Sequence, residues 1–159
     1  MRTIRLLVCG EPLRGDDAVA AAILDRLPVT TRHLVTIWHV SAPMPDDLID
    51  APGPVIILDA VNGPAAGEVI DLPLAALLEH DRATSAASSH ALPLPAVLQL
   101  VERIRGDLPE GRFIGIAGGR FTLGAPLSAS VRMSIPAATA RLGHWIRVLA
   151  HAQAVPSCA

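Results

Sequence analysis

The chain has 159 residues, 51% of them hydrophobic and 18% charged, and carries a formal net charge of −2. That composition excludes a disordered chain, and the slight negative charge leaves no basic footprint for nucleic acid. No apolar run reaches the roughly 18–20 residues that a membrane span requires, and the length suits one domain over 1–159, with the last few residues a frayed tail.

The two cysteines, Cys9 and Cys158, lie at opposite ends with no CxxC spacing. This points to a reducing compartment and no disulfide framework. Cys9 reads as core packing. The N-terminus, Met1-Arg2-Thr3-Ile4, runs straight into an apolar stretch interrupted by Arg5 and followed by no small-residue cleavage site. It is a poor signal peptide, so a cytoplasmic location is expected.

The first apolar run, 4–9, stops at Gly10. A loop punctuated by glycine and proline follows, and Asp16-Asp17 opens an apolar-periodic segment. The order reads as buried strand, tight turn and helix. Open α/β sheets bind ligands outside the carboxyl ends of their strands, where this loop falls. Two adjacent carboxylates there have two readings. One is an N-cap with an acidic first turn. The other is a cation site, since like charges crowded together need an offset. The loop has no Gly-x-Gly-x-x-Gly and no Gly-Lys-Ser/Thr, and its charge disfavours phosphate.

Val19, Ile23 and Leu27, with Leu24, mark an amphipathic helix ending before Pro28. Residues 33–40 read as a strand with His33 and His39 on one face, both structural or surface groups. The segment 41–49 is a loop with one helical turn that Asp46-Asp47 caps. Pro52-Gly53-Pro54 then releases the strongest strand, 55–61, a continuous apolar run expected of a central strand covered on both faces. Asp59 lies at its carboxyl end and must be paired, hydrogen-bonded or ligated. Capping of the Asn62-Gly63-Pro64 turn is the competing role.

Residues 67–72 read as an edge strand and 74–78 as a short helix. A polar loop, 81–89, leads to His90. A helix opening at Pro93 or Pro95 carries Leu94, Val97, Leu98, Val101 and Ile104 on one face. Residues 112–119 form another strand ending in a glycine turn, and Arg120 to Met133, without clear period, reads as a mobile loop. Ile135, Ala138, Leu142, Trp145 and Leu149 mark a long C-terminal helix, with Ser134 as cap and Pro136 in its first turn.

Strands alternating with helices define an α/β three-layer sandwich, a mostly parallel twisted central sheet flanked by helices. In that architecture the ends of the first and third strands converge, which lets Asp17, Asp59 and His90 approach one another. Oxygen and imidazole ligands together suit a borderline divalent metal such as nickel or zinc. There is no Gly-x-Ser-x-Gly elbow and no cysteine placed as a nucleophile.

Three segments resemble one family, the hydrogenase maturation proteases. Gly10-Glu11-Pro12-Leu13-Arg14-Gly15-Asp16-Asp17 is similar to the family's Gly-Asn-x-Leu-x-x-Asp-Asp/Glu loop. Ile57-Leu58-Asp59-Ala60 is similar to its strand ending in a metal-binding Asp, and Ser89-His90-Ala91-Leu92-Pro93-Leu94 to its Ser/Pro-His-x-Leu segment before a helix. Order and rough spacing agree across nearly the whole chain. The resemblance implies a nickel-recognising, metal-dependent endopeptidase. Its partner is a nickel–iron hydrogenase large-subunit precursor, whose C-terminal extension it removes after nickel insertion. It also implies Asp17, Asp59 and His90 as nickel ligands and site residues, with the nickel supplied by the precursor. Asp16 is then a cap or loop organiser.

The chain departs from the family pattern at Glu11, which stands where Asn is usual, and at Ala18 and Ala20, where glycines are usual. Ser41-Ala42-Pro43-Met44 replaces a Gly-rich turn, and Ala117-Gly118-Gly119 lacks an acidic residue. The first three changes bear on how a precursor tail is gripped. Two other readings stay open: a non-catalytic metal-binding chaperone or scaffold for hydrogenase assembly, and a small-molecule metal-dependent hydrolase of doubly wound type. The hydrolase requires a roomy apolar pocket beside Asp59.

Overall fold

A computed structural model describes residues 3–63, 65–80 and 93–154. The apolar runs become β1 (Ile4–Cys9), β2 (Val35–Val40), β3 (Val55–Asn62), β4 (Val69–Pro73) and β5 (Gly111–Gly118). They form one sheet in the order β2-β1-β3-β5-β4. β2, β1, β3 and β5 are parallel, and β4 alone runs antiparallel, against β5. The helices are α1 (Val19–Arg26), α2 (Val29–Arg32), α3 (Asp46–Ile49), α4 (Leu74–His80), α5 (Leu94–Arg105) and α6 (Ala129–Ala154).

The period of two in a strand sends alternate side chains to opposite faces, and here both faces are apolar. Leu6 and Val8 of β1, Ile56 and Leu58 of β3 and Ile114 and Ile116 of β5 pack with α1 and α6. Leu7, Val55, Ile57 and Phe113 turn the other way and pack with Leu48 of α3, Leu74 of α4 and Val97, Leu98 and Val101 of α5. These layers are the expected three-layer sandwich, and the continuous run in β3 is explained by its central position. Each fully buried Leu, Ile or Val contributes roughly 1.5–3 kcal/mol of transfer free energy.

Five local expectations are corrected. His33 is not in a strand, because Pro28 opens the turn of helix α2 and His33 closes it. Ile104 is 57% exposed, because the last turn of α5 passes beyond the apolar layer. There Arg105 donates to the carbonyl oxygens of Leu48, Ile49 and Ala51. The end of the stretch 120–133 is helical, since α6 begins at Ala129. Ser134 is therefore no cap: its hydroxyl donates to the Val131 carbonyl at 2.7 Å from inside the helix. Pro136 also lies inside α6, where it removes one backbone donor. Val131 and Ile135, 0% and 3% exposed, offset that loss by burial.

Arg105 fixes the direction of α5. It sits against residues 48–51, before β3 begins, at the amino end of the sheet. Twelve helical residues span about 18 Å, so the N-terminus of α5 lies toward the carboxyl end, on the face that carries Cys9 and Ile57.

β4 is held at the sheet edge by one carboxylate. Asp71 accepts from Arg112 Nε and Nη2 at 3.0 and 2.6 Å, from Arg141 Nη1 at 3.0 Å and from Trp145 Nε1 at 2.9 Å. The Arg112 guanidinium stacks 3.9 Å above the Trp145 ring. Burial pushes the Asp71 carboxyl up, but its donors and the Arg112 charge outweigh that and hold it below the usual 3.8. A carboxyl lowered in the folded state stabilises fully above its unfolded value and loses that contribution as pH falls through the folded one. Asp71→Asn should therefore cost about 3 kcal/mol near neutral pH. In urea unfolding followed by circular dichroism, that difference should shrink only as pH drops below 3.8.

Candidate functional site

β1 is followed in space by β2 on one side and β3 on the other. The order reverses there, so the carboxyl ends of β1 and β3 flank a topological switch point, where α/β sheets form their ligand crevices. Asp17 follows the first of these strands and Asp59 lies in the carboxyl half of the second.

Asp16 and Asp17 share a 3-10 turn, Gly15–Ala18, that leads into α1. They face different partners. Asp16 is fully buried, at 0% exposure. Its Oδ2 accepts from the N–H groups of Gly119 and Arg120 at 3.0 and 2.9 Å, and its Oδ1 accepts from the N–H of Ser128 at 2.7 Å. It makes no cap bond to its own helix, which corrects the N-cap reading. Instead it organises the loop and holds Ser128, the residue just before α6. Burial pushes the Asp16 carboxyl up, yet the three backbone donors together hold it below 3.8. Gly118 permits this approach, since a Cβ there would lie 2.8 Å from the Asp16 Cβ.

Asp17 is 7% exposed. Its Oδ2 accepts from the Glu11 N–H at 2.8 Å, and its Oδ1 is buried with no hydrogen-bond partner among the described residues. Gly10, at φ +108°, passes beneath it, where any Cβ would collide with the Asp17 carbonyl oxygen. The glycine is required both by its backbone conformation and by this closeness.

Asp59 is 5% exposed, and its Oδ1 accepts from the N–H of Ala60 at 2.8 Å. The β1–β3 register ends at Val8 opposite Leu58, so Asp59 follows beside Cys9. Cys9 is 2% exposed. Burial pushes its thiol far up, and the carboxylates of Asp59, Asp47 and Asp17 push it further. The two candidate carboxylates thus act on one buried sulfur, which stays a protonated core group and no nucleophile. His90 lies outside the described residues. It precedes Pro93, the residue before α5, by three positions. Cys158 and the C-terminal tail from 155 also lie outside the described residues.

Asp17 lines a cleft of about 220 Å³ together with Cys9, Gly10, Glu11, His39 and Ser41. The Ser41 hydroxyl donates to Glu11 Oε1 at 2.6 Å. Glu11, His39 and Ser41 were not among the sequence candidates. The signal available was parallel pairing of the first two strands, which brings residues after β2 beside the loop after β1. Asp59 does not line this cleft. Asp47, expected as a cap with Asp46, accepts from the Met44 N–H at 2.8 Å while its own N–H donates to Met44. Among the described residues no three His, Cys, Asp or Glu side chains form a group able to hold a metal. No helix in the described residues is long and apolar enough to cross a membrane.

The arrangement defines a doubly wound α/β protein with an acidic crevice at its switch point. No family model and no curated protein matches the chain. Solved structures do. The hydrogenase maturating endopeptidase HybD from E. coli matches at TM-score 0.70 and 22% identity, over 91% of this chain and 92% of that one. The nickel–iron hydrogenase maturation protease HybD from Thermococcus kodakarensis matches at TM-score 0.69 and 19% identity, over 91% and 99%. The solution structure of the endopeptidase HycI from Escherichia coli matches at TM-score 0.63 and 22% identity, over 90% of each chain. The chain has the fold of the hydrogenase maturation endopeptidases.

Asp16→Ala leaves three backbone donors without their acceptor and a void beneath the loop. It should cost about 4 kcal/mol in urea denaturation, more than Asp17→Ala, which strands only the Glu11 N–H.

Proposed function

We propose that this chain is an endopeptidase that removes the C-terminal extension of a nickel–iron hydrogenase large-subunit precursor once nickel is in place. The observation that carries the reading is the Asp17 carboxylate. One of its oxygens is fixed by the Glu11 N–H, and the other is buried without a donor among the described residues. It lies at the switch point of a fold shared with hydrogenase maturation endopeptidases over about nine-tenths of the chain. A buried carboxylate oxygen left unmatched is costly unless a ligand completes it, and a divalent cation is the ligand that oxygen suits.

Nickel enters this reading as cargo of the precursor. Asp17, Asp59 and His90 offer it two carboxylates and an imidazole. That set is weak for nickel or zinc alone, whose closed sites take four ligands and favour sulfur or imidazole. The precursor's own thiolates supply the remainder, so a precursor without nickel docks poorly. Bound there, nickel can polarise a carbonyl or lower the pKa of a water. Within the chain, Gly10 and Glu11 hold the Asp17 carboxylate in position, and Asp16 fixes the loop that carries it. With Cys9 buried and protonated, no covalent intermediate on sulfur is part of the reading.

Two experiments test it. Co-expression with a panel of large-subunit precursors in nickel-replete cells should show tail removal by mass spectrometry. Asp17→Asn should lower it at least about 100-fold in a protein that keeps its circular dichroism, while Asp25→Asn should not. Tail removal from no precursor in the panel would overturn the proposal. Calorimetric titration of the isolated protein with nickel should give a Kd above the micromolar range. Sub-micromolar binding lost in His90→Ala would favour a metal-carrying chaperone.

A further inference from the structure

We propose that the outer edge of β2 is the docking strand for the substrate's extended C-terminal tail, which adds to the sheet and enters the Asp17 cleft where β2 ends. The inference rests on the endopeptidase reading and deepens it, since it names the backbone that grips the tail.

β2 is the outermost strand of the sheet on the side of β1. The direction of its polar groups follows from one bond. The Val40 carbonyl accepts from the Gly10 N–H at 3.1 Å, so the peptide groups of Val40 face β1. In a parallel ladder both polar groups of a residue point to the same neighbour, and direction alternates along the strand. Trp38 and Thr36 therefore face β1 as well, and the N–H and C=O groups of Val35, Ile37 and His39 point outward. Among the described residues no hydrogen bond reaches those outward groups from beyond the sheet.

The two edges of the sheet differ sharply. β4 is a five-residue antiparallel strand that ends in Pro73 and is tied down by Asp71. Short length, proline and charge are the devices that keep an edge from pairing with another chain. β2, one residue longer at six, has neither proline nor charge. The run Val35-Thr36-Ile37-Trp38-His39-Val40 is β-branched or aromatic at most positions and contains no proline and no Asp, Glu, Lys or Arg. Such an edge takes an extended peptide by strand addition, with main-chain hydrogen bonds supplying the affinity.

Its position selects the occupant. His39 and Val40, the carboxyl end of β2, and Ser41 just beyond it line the cleft that holds Asp17. A peptide laid along the edge covers about 20 Å of strand and has one end beside the unmatched Asp17 oxygen. An endopeptidase acts on an extended backbone, and this edge extends directly from its candidate site. The cleft is acidic at Asp17 and Glu11, while the strand is uncharged. The edge is therefore a backbone reader, and it tolerates varied tail side chains.

Hydrogen exchange provides the test. Synthetic peptides spanning the C-terminal extension of each precursor in the panel are added to the whole protein, and amide exchange is read residue by residue. The amides of Val35, Ile37 and His39 should gain protection, and those of Thr36, Trp38 and Val40, already bonded to β1, should change little. Peptides N-methylated at alternate residues should bind about 3- to 10-fold more weakly in one phase of the alternation only, the loss expected for one hydrogen bond. His39→Pro removes an outward N–H at an edge, a position where proline is tolerated. It should weaken binding further than His39→Ala, which removes only the imidazole. Should His39→Pro fail to fold, the exchange pattern and the N-methylated peptides decide. Cleavage without protection at 35, 37 and 39 overturns the docking strand and leaves the endopeptidase reading standing. Protection without cleavage does the reverse, and neither sinks both.

Discussion

The structure depends on the carboxylate of Asp16. A fully buried charge is tolerated only when donors replace the water it has lost. Here the donors are three main-chain N–H groups from a segment more than a hundred residues away, Gly119, Arg120 and Ser128. Further main-chain bonds run beside them: Asp16 N–H to the Arg120 carbonyl, Gly15 N–H to Ala125 and Gly124 N–H to Leu13. Together they sew the loop after β1 to the connection between β5 and α6. The first segment carries only the short 3-10 turn Gly15–Ala18 and the second no helix or strand before α6, and these bonds join the two. The same carboxylate sits at the start of α6, where a negative charge is favoured by the helix dipole.

That seam decides what Asp17 can do. With Asp16 turned inward, the following residue is carried to the other side of the turn and into the crevice, where only one of its oxygens is matched among the described residues. Gly10 completes the arrangement by leaving room for the Asp17 backbone. The acidic pair is thus divided: both Asp16 oxygens are matched by backbone donors, while Asp17 keeps one oxygen without a partner among the described residues. The buried thiol of Cys9 between the strand ends is held neutral by burial and by the carboxylates around it.

The departures from the family pattern acquire a place on this frame. Glu11 contributes its backbone N–H to Asp17, a role that does not depend on its side chain, while its carboxylate accepts from Ser41 across the cleft. Ala18 lines the same cleft, and Ala20 is fully buried in the core. Ala117 and Gly118 close β5 beside Asp16, where Gly118 has no room for a Cβ. The changes fall on the cleft wall and on the packing behind it.

Much of the fold was legible in the sequence because local pattern and burial agree. The unbroken run of β3, the alternation of apolar residues in β1 and the 3.6-residue stripe of α1 each state which surfaces must be covered, and two-faced strands allow only a layered α/β answer. The carboxyl ends of β1 and β3, and hence Asp17 and Asp59, follow from that topology. Other features depend on distant partners that no local window contains. Asp16 is written like an N-cap and becomes a clamp on residues 119–128. Ser134 and Pro136 are written like a helix start and lie inside α6, because Asp16 and the burial of Val131 draw that helix back to Ala129. His39, Glu11 and Ser41 meet only through the parallel register of β1 and β2. Sequence determined which groups had to be buried, since hydrophobic period is a local property. Tertiary structure alone decided which backbone donors each buried carboxylate would find, since those bonds join segments that are neighbours only after the sheet has formed.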